Sequence, residues 1–297
     1  MKLRDQAVGA LGGLAAGMAG GLLGVGGGII LVPLLSGRFK LSQHAAHGTS
    51  LAVVGATALA SLVIYGSHAS VEWRAAAWVA LASVFTVHVG VALAGRLSSS
   101  HLKRAFAVLL AVVAVRLLWQ PGNGSALLPA SPLPQVAVEL AIGAGVGLLA
   151  GFMGVGGGLI AVPAFVLVLG MAQRLAQGTS LAVILATAPI GTWSNARRGQ
   201  VRWPMLPSLA IGAALGGALA ASLAHRVPQQ QLARLFAVFL ALVAFHSWRR
   251  AGAQRQPAGG TGDGAASSEP REATSAPRGS TPEGSMPAGS TPAPPRM

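Results

Sequence analysis

The groups in this chain best suited to holding an anion are backbone amides, not side chains. Gly26-Gly27-Gly28 and Gly156-Gly157-Gly158 each interrupt the middle of an apolar stretch, with Gly24 and Gly154 two residues ahead and Pro33 and Pro163 five residues behind. A glycine costs a helix ~1 kcal/mol against alanine and an interior proline ~3 kcal/mol. Each stretch is therefore expected to unwind at its glycines and to end its half-helix at its proline. Freed N–H groups at membrane depth are tolerated only inside protein or facing a water-filled cavity. A half-helix starting near Ile29 would aim its positive end at that cavity. Broken apolar segments at matching places in two halves are the mark of a transporter binding site.

Other chemistry-bearing residues are few. Gly48-Thr49-Ser50 and Gly178-Thr179-Ser180 follow the two breaks and supply hydroxyls that either cap the next helix or face a substrate. His88 lies within an apolar span, where an ionisable group is a candidate for proton coupling. Up to Arg250 there are only three acids, Asp5, Glu72 and Glu139, against 17 Lys and Arg. That balance leaves no paired-carboxylate site and suits an anion path better than a cation path. His44 and His47 have no nearby carboxylate and there is no cysteine, so no metal or cofactor is expected. A dinucleotide fingerprint fails because position 29 is isoleucine, and a Walker loop fails for want of Gly-Lys-Ser/Thr. No Gly-x-Ser-x-Gly is present, so an enzyme is the least expected class.

The elements that must position these groups follow from composition. Of the 297 residues 53% are hydrophobic and 9% charged, where a soluble domain carries roughly 25% charged. Several apolar runs approach the ~20 residues that cross a bilayer. The chain reads as an all-α, polytopic membrane protein of the cytoplasmic membrane. The apolar run after Met1-Lys2-Leu3-Arg4-Asp5 recurs inside the chain, so it reads as a membrane segment and not as a cleaved leader. The net charge of +14 sits in short loops between spans, which points to lipid headgroups and not to nucleic acid. Gly9, Gly13, Gly17 and Gly21 form a row for close helix packing.

The sequence repeats itself at an offset of 130 positions. Gly24 matches Gly154, Pro33 matches Pro163, and Gly48-Thr49-Ser50-Leu51-Ala52-Val53 recurs from Gly178. Val71-Glu72-Trp73 is echoed by Val201-Arg202-Trp203. The expected organisation is about eight transmembrane helices in two homologous four-helix repeats, each with a glycine-broken first helix. The first repeat covers residues 1–119, a Pro/Gly-rich linker 120–135, and the second repeat 136–250. Residues 251–297 are rich in Pro, Gly, Ser and Thr and are expected to be a disordered tail. Whether the broken segments cross or re-enter is open at this point.

The doubled Gly-x-Gly-Gly-Gly-x-x-x-x-Pro at residues 24–33 and 154–163, each followed by Gly-Thr-Ser, resembles the sulfite exporter TauE/SafE family. The Gly-x-Val-x-Trp at residues 199–203 fits as well, while the first copy has Ala69-Ser70 before Val71. The resemblance covers residues 6–249 and implies a permease for small anions, often sulfur-containing ones such as sulfite or sulfonates. The expected site is formed by Gly26, Gly27, Gly28, Gly156, Gly157 and Gly158, with hydroxyls from Thr49, Ser50, Thr179 and Ser180. The two breaks are expected to face each other near the midplane, and alternating access to come from rocking one half against the other. A passive anion channel and a non-transporting membrane scaffold are the alternative classes.

Overall fold

In lipid an apolar chain must satisfy its own backbone, and a helix does so within one segment. The computed structural model describes residues 3–93, 100–119, 132–153 and 157–253. Among them are ten α-helices, one 3-10 turn at Trp203–Met205, and no strand. In order they are α1 (Leu3–Leu23), α2 (Gly28–Gly37), α3 (Gln43–Ser67), α4 (Trp73–Leu93), α5 (Ser100–Trp119), α6 (Pro132–Met153), α7 (Gly158–Leu167), α8 (Gln173–Ala196), α9 (Leu206–Arg226) and α10 (Gln229–Ala253). The linker and tail expectations fall mostly outside the described residues, although α6 begins inside the expected linker, at Pro132. Proline suits the first turn because its missing N–H has no helical acceptor there anyway.

Seven of the helices among the described residues are long and apolar enough to cross a membrane. The expected fourth span lies in α5, whose apolar described part, Leu110–Trp119, is shorter than a span. Large apolar side chains such as Leu11, Phe85, Leu215, Leu219 and Phe245 are exposed on the outside of the bundle. Leu31, Leu51, Phe165, Leu181, Ile184 and Phe236 are buried within it. Apolar surface on both sides of the helices is the arrangement of a bundle in lipid.

Small residues set the closest packing. Gly13, Gly17 and Gly21 of α1 lie against the backbone of Leu209, Ala213 and Gly217 of α9, so the two helices run parallel. Gly143, Gly147 and Gly151 of α6 lie in the same way against Val79, Ser83 and Val87 of α4. The glycine row on α1 therefore packs as its spacing predicts. α3 and α8 cross the centre antiparallel: Gly48 meets Asn195, Gly191 meets Leu51, and Gly55 meets Ala188.

The first glycine-broken segment folds back on itself. Gly12 of α1 faces Leu34 of α2, Ala16 faces Gly27, and Gly20 faces Gly26 and Gly27. α1 is stopped by Gly24 in the left-handed conformation, with Val25 N–H donating back to Gly20 O at 3.1 Å, a helix-ending turn that favours glycine. At ten residues, α2 and α7 are each ~15 Å long, half a bilayer.

Two local expectations are corrected. Pro33 and Pro163 lie inside α2 and α7 and do not end them; α2 continues to Gly37 and α7 to Leu167. A proline removes one ladder bond and bends the helix, and four further residues close the ladder beyond it. Thr49 and Ser50 do not open the second span. α3 starts at Gln43, capped by Ser42, whose hydroxyl accepts from Ala45 N at 3.3 Å.

Candidate functional site

The first break is built from three glycines that no other residue replaces cheaply. Gly24, Gly26 and Gly27 have φ of 70°, 75° and 82°, a region that costs an L-residue ~1–2 kcal/mol. Space excludes a side chain as well. A Cβ on Gly27 would strike the carbonyl of Ala16, and one on Gly24 would lie 2.7 Å from Gln177 Cα. The ladder of α2 opens with Ile30 N–H and Leu31 N–H donating to Gly27 O, at 3.1 and 3.2 Å. The N–H groups of Gly28 and Ile29 come before any intrahelical acceptor.

The second break follows the same plan where it is described. Gly157 has φ 74°, and Ile160 N–H and Ala161 N–H both donate to Gly157 O at 3.1 Å. The N–H groups of Gly158 and Leu159 then stand at the start of α7 as those of Gly28 and Ile29 do at α2. Gly154 and Gly156 lie outside the described residues.

The two breaks meet. A Cβ on Gly158 would lie 2.7 Å from both Gly24 O and Val25 Cα. Ser180 donates its hydroxyl to Gly24 O at 2.8 Å. Gly26 packs against Val54 and Ile184, residues at the middle of α3 and α8. The starts of α2 and α7 thus lie close together, at mid-height of the two central helices. Each start carries about half a positive charge from its helix dipole, a favourable place for an anion.

The Gly-Thr-Ser hydroxyls divide. Thr49 Oγ1 accepts from Arg202 N–H and Thr179 Oγ1 accepts from Glu72 N–H, both at 3.0 Å. Thr179 also donates to Leu175 O at 2.7 Å. Gly48 and Gly178 leave room for the same incoming loops, at the carbonyls of Gln200 and Ser70. Each Gly-Thr pair is therefore a clasp for the other half's Val-x-Trp loop. Ser180 reaches the first break, while Ser50 is wholly buried and its Oγ has no hydrogen-bond partner among the described residues. His88 sits on the exposed side of α4, away from the meeting point of the breaks.

Sequence reasoning missed a polar group beside the first break. Tyr65, the chain's only tyrosine, is fully buried at the end of α3. Its Oη lies 3.2 Å from both Gly21 O and Gln177 Oε1. A phenol has one hydrogen, so turning the Gln177 amide, whose O and N are interchangeable in shape, lets Gln177 donate to Tyr65 while Tyr65 donates to Gly21. The Tyr65 ring meets His225 edge-on at 4.9 Å, and His225 lies over His68 at 4.1 Å. The available signal was slight: one tyrosine in the chain, and a glutamine directly before Gly178.

The model of the family described as Sulfite exporter TauE/SafE matches residues 9–247. A probable membrane transporter protein of Xylella fastidiosa strain 9a5c is 32% identical over 247 residues, covering 80% of this chain and 93% of its own. The probable membrane transporter protein YunE of Bacillus subtilis strain 168 is 27% identical over 256 residues, covering 78% and 93%. A probable membrane transporter protein of Haemophilus influenzae is 27% identical over 255 residues, covering 79% and 94%. No solved structure matches the chain.

Proposed function

The chain belongs to the sulfite exporter TauE/SafE family of membrane transporters, and from that premise we propose that it carries a small oxyanion, such as sulfite or an organosulfonate, through the meeting point of its two glycine breaks. The observation that carries this reading is the contact of Gly158 with Gly24 and Val25 at mid-height of α3 and α8. Two half-helix starts converge there, in a membrane portion with few acids to repel an anion. Gly27, Gly28, Gly157 and Gly158 would offer backbone N–H groups, while Gly26 N–H donates to Gly20 O at 3.4 Å; Ser50 would add a buried hydroxyl that has no partner among the described residues.

The transport cycle in this reading is alternating access between two inverted repeats, α1–α5 and α6–α10. Three features support it. α3 and α8, equivalent at the offset of 130, run antiparallel. α1 packs along α9 as α6 packs along α4. Each α1–α2 type hairpin returns to its own side, leaving three crossings per repeat, and an odd number inverts the second repeat. The loop charges agree with this topology. Among the described residues Arg4, Arg38, Lys40, Lys103, Arg104, Arg197, Arg198, Arg202, Arg249 and Arg250 fall on the side of the N-terminus; Arg74, Arg116, Arg174, Arg226 and Arg234 fall opposite. Ten against five supports a cytoplasmic side for both ends of the membrane portion in this reading.

The test is flux of radiolabelled sulfite, sulfate and methanesulfonate into liposomes holding the purified chain. Saturable flux of one anion is expected, lost in the Gly27→Leu/Gly157→Leu double variant. Flux that rises without saturation would replace the carrier with a channel. Normal flux through the double variant would remove the site from the breaks.

A further inference from the structure

We propose that the first two turns of α8 form a one-sided oxyanion cradle, in which the Arg174 guanidinium and the Gln173 and Gln177 amides select the anion before it reaches the first break. This inference rests on the anion-transport reading and names the residues that would discriminate.

The cradle is marked by polar groups that are buried and unused. Gln173 is 1% exposed and Gln177 0%. Both amide atoms of Gln173, the Nε2 of Gln177 and the Nε of Arg174 have no hydrogen-bond partner among the described residues. Turning the Gln177 amide only moves its unused atom from nitrogen to oxygen. Buried polar atoms without partners are uncommon, because each forfeits its hydration for nothing. Here several fall within two turns of one helix. Gln173, Gln177 and Ser180 stand at i, i+4 and i+7, one face of α8, over a rise of ~10 Å. Ser180 ends that row on Gly24 O at 2.8 Å, and Gln177 lies directly under Gly24. The row therefore runs from the end of α8 to the break.

Its charge is also uncommitted. Arg174 Nη2 donates to Val227 O at 2.8 Å, which fixes the guanidinium plane. Among the described residues the only ion pair is Arg74–Glu139, so Arg174 has no carboxylate. The titratable groups near it are Tyr65 and His225, neither of them an acid at neutral pH. A planar fork of N–H donors, carried one residue from Gln173 and three from Gln177 on the same helix, matches the oxygens of a small oxyanion. The helix start adds to this. Ala172 at its N-cap position provides no side-chain cap, so the first-turn N–H groups keep their positive field.

The equivalent end of α3 is finished differently, with a half-buried His47 where α8 has Gln177. Gln43 and His44 are exposed, and Ser42 caps the helix. The cradle therefore serves one mouth of the pathway only.

The experiment uses the full chain in liposomes with sulfite, sulfate and methanesulfonate as probes, and the unfolding temperature of the same protein in detergent with and without each anion. Wild type is expected to saturate with one anion and to be stabilised by it. Arg174→Gln should raise KM for that anion by about tenfold or more, the loss of a charge-assisted contact. Its turnover should stay near wild type and its anion-dependent stabilisation should vanish. Gln177→Leu should move KM in the same direction, Arg174→Lys should recover part of the loss, and His44→Ala should change nothing. Should Arg174→Gln fail to give a folded protein, Gln177→Leu is read by the same criteria. Unchanged KM and unchanged stabilisation would remove the cradle while leaving transport standing. Lower turnover at unchanged KM would reduce Arg174 to a prop for Val227, and also overturns it. A wild-type protein that moves none of the three anions overturns this inference and the transport reading together.

Discussion

The start of α8 and the start of α3 hold equivalent places in the duplicated sequence, and they are finished differently. Where the halves clasp each other they agree closely. Thr49 and Thr179 accept a loop N–H at the same 3.0 Å, with Gly48 and Gly178 making room alongside. Where the helices open toward the breaks they diverge: α3 has an exposed Gln43 and His44 behind a serine cap, and α8 a buried Gln173 and Gln177 with an Arg174 that has no ion pair among the described residues. The clasp is geometry that both halves need to close on each other. The mouths need not match, because the two sides of a membrane present different solutes. Two stretches of like sequence thus share a clasp and differ at their helix starts.

The largest expected effect tests whether the breaks themselves belong to the frame. Gly27→Ala and Gly157→Ala both force a side chain into a left-handed position, at ~1–2 kcal/mol. Gly27 further meets the Ala16 carbonyl, which is fixed backbone, whereas Gly157 first meets Val146 Cγ1 at 2.7 Å, a side chain able to turn. Gly27→Ala should abolish anion flux and lower the unfolding temperature most, and Gly157→Ala should keep part of both. Full flux in both variants would reduce the glycines to helix packing, the scaffold class. Equal loss in both would mean that Val146 cannot yield.

The clasps provide the next effect. Thr49→Val and Thr179→Val each leave a loop N–H without its acceptor, at ~1–3 kcal/mol. The two losses should be nearly equal in thermal or denaturant unfolding in detergent. A clasp that costs nothing when broken would show that its loop finds another partner, and the likeness of the halves would then be confined to sequence.

The smallest effect separates the serines. Ser180→Ala removes the bond to Gly24 O and should cost ~0.5–1.5 kcal/mol. Ser50→Ala removes a buried hydroxyl that has no partner among the described residues and should leave stability unchanged or raise it. Lower flux with undiminished stability in Ser50→Ala would assign that hydroxyl to the substrate. Equal destabilisation by the two variants would mean that Ser50 has a partner and that the halves are more alike than they look.

The sequence by itself determined the class of the molecule, the place where its first apolar segment breaks and the recurrence of its motifs at one offset. All three are local or periodic properties. Apolar length sets what enters lipid, adjacent glycines cannot hold a helix, and an offset of 130 is visible without coordinates. The small-residue row on α1 was legible for the same reason, since its four-residue spacing specifies a face.

Only the tertiary structure decided which way the chain leaves the first break. Glycine grants freedom of φ but no direction; the return of α2 along α1 is set by Gly12, Ala16 and Gly20 fitting against Leu34, Gly26 and Gly27. Counting spans in the sequence could not reveal that choice. The tertiary structure also decided the hydroxyls. A threonine two turns into a helix reads the same whether it faces a substrate or a backbone N–H, and Arg202 and Glu72 lie more than a hundred residues from the threonines they meet. The cluster of Tyr65, Gln177, Arg174 and His225 exists only because the ends of α3 and α9 are brought to the start of α8. Contacts between such distant parts of the chain leave no spacing to read, because packing of the finished bundle brings them together.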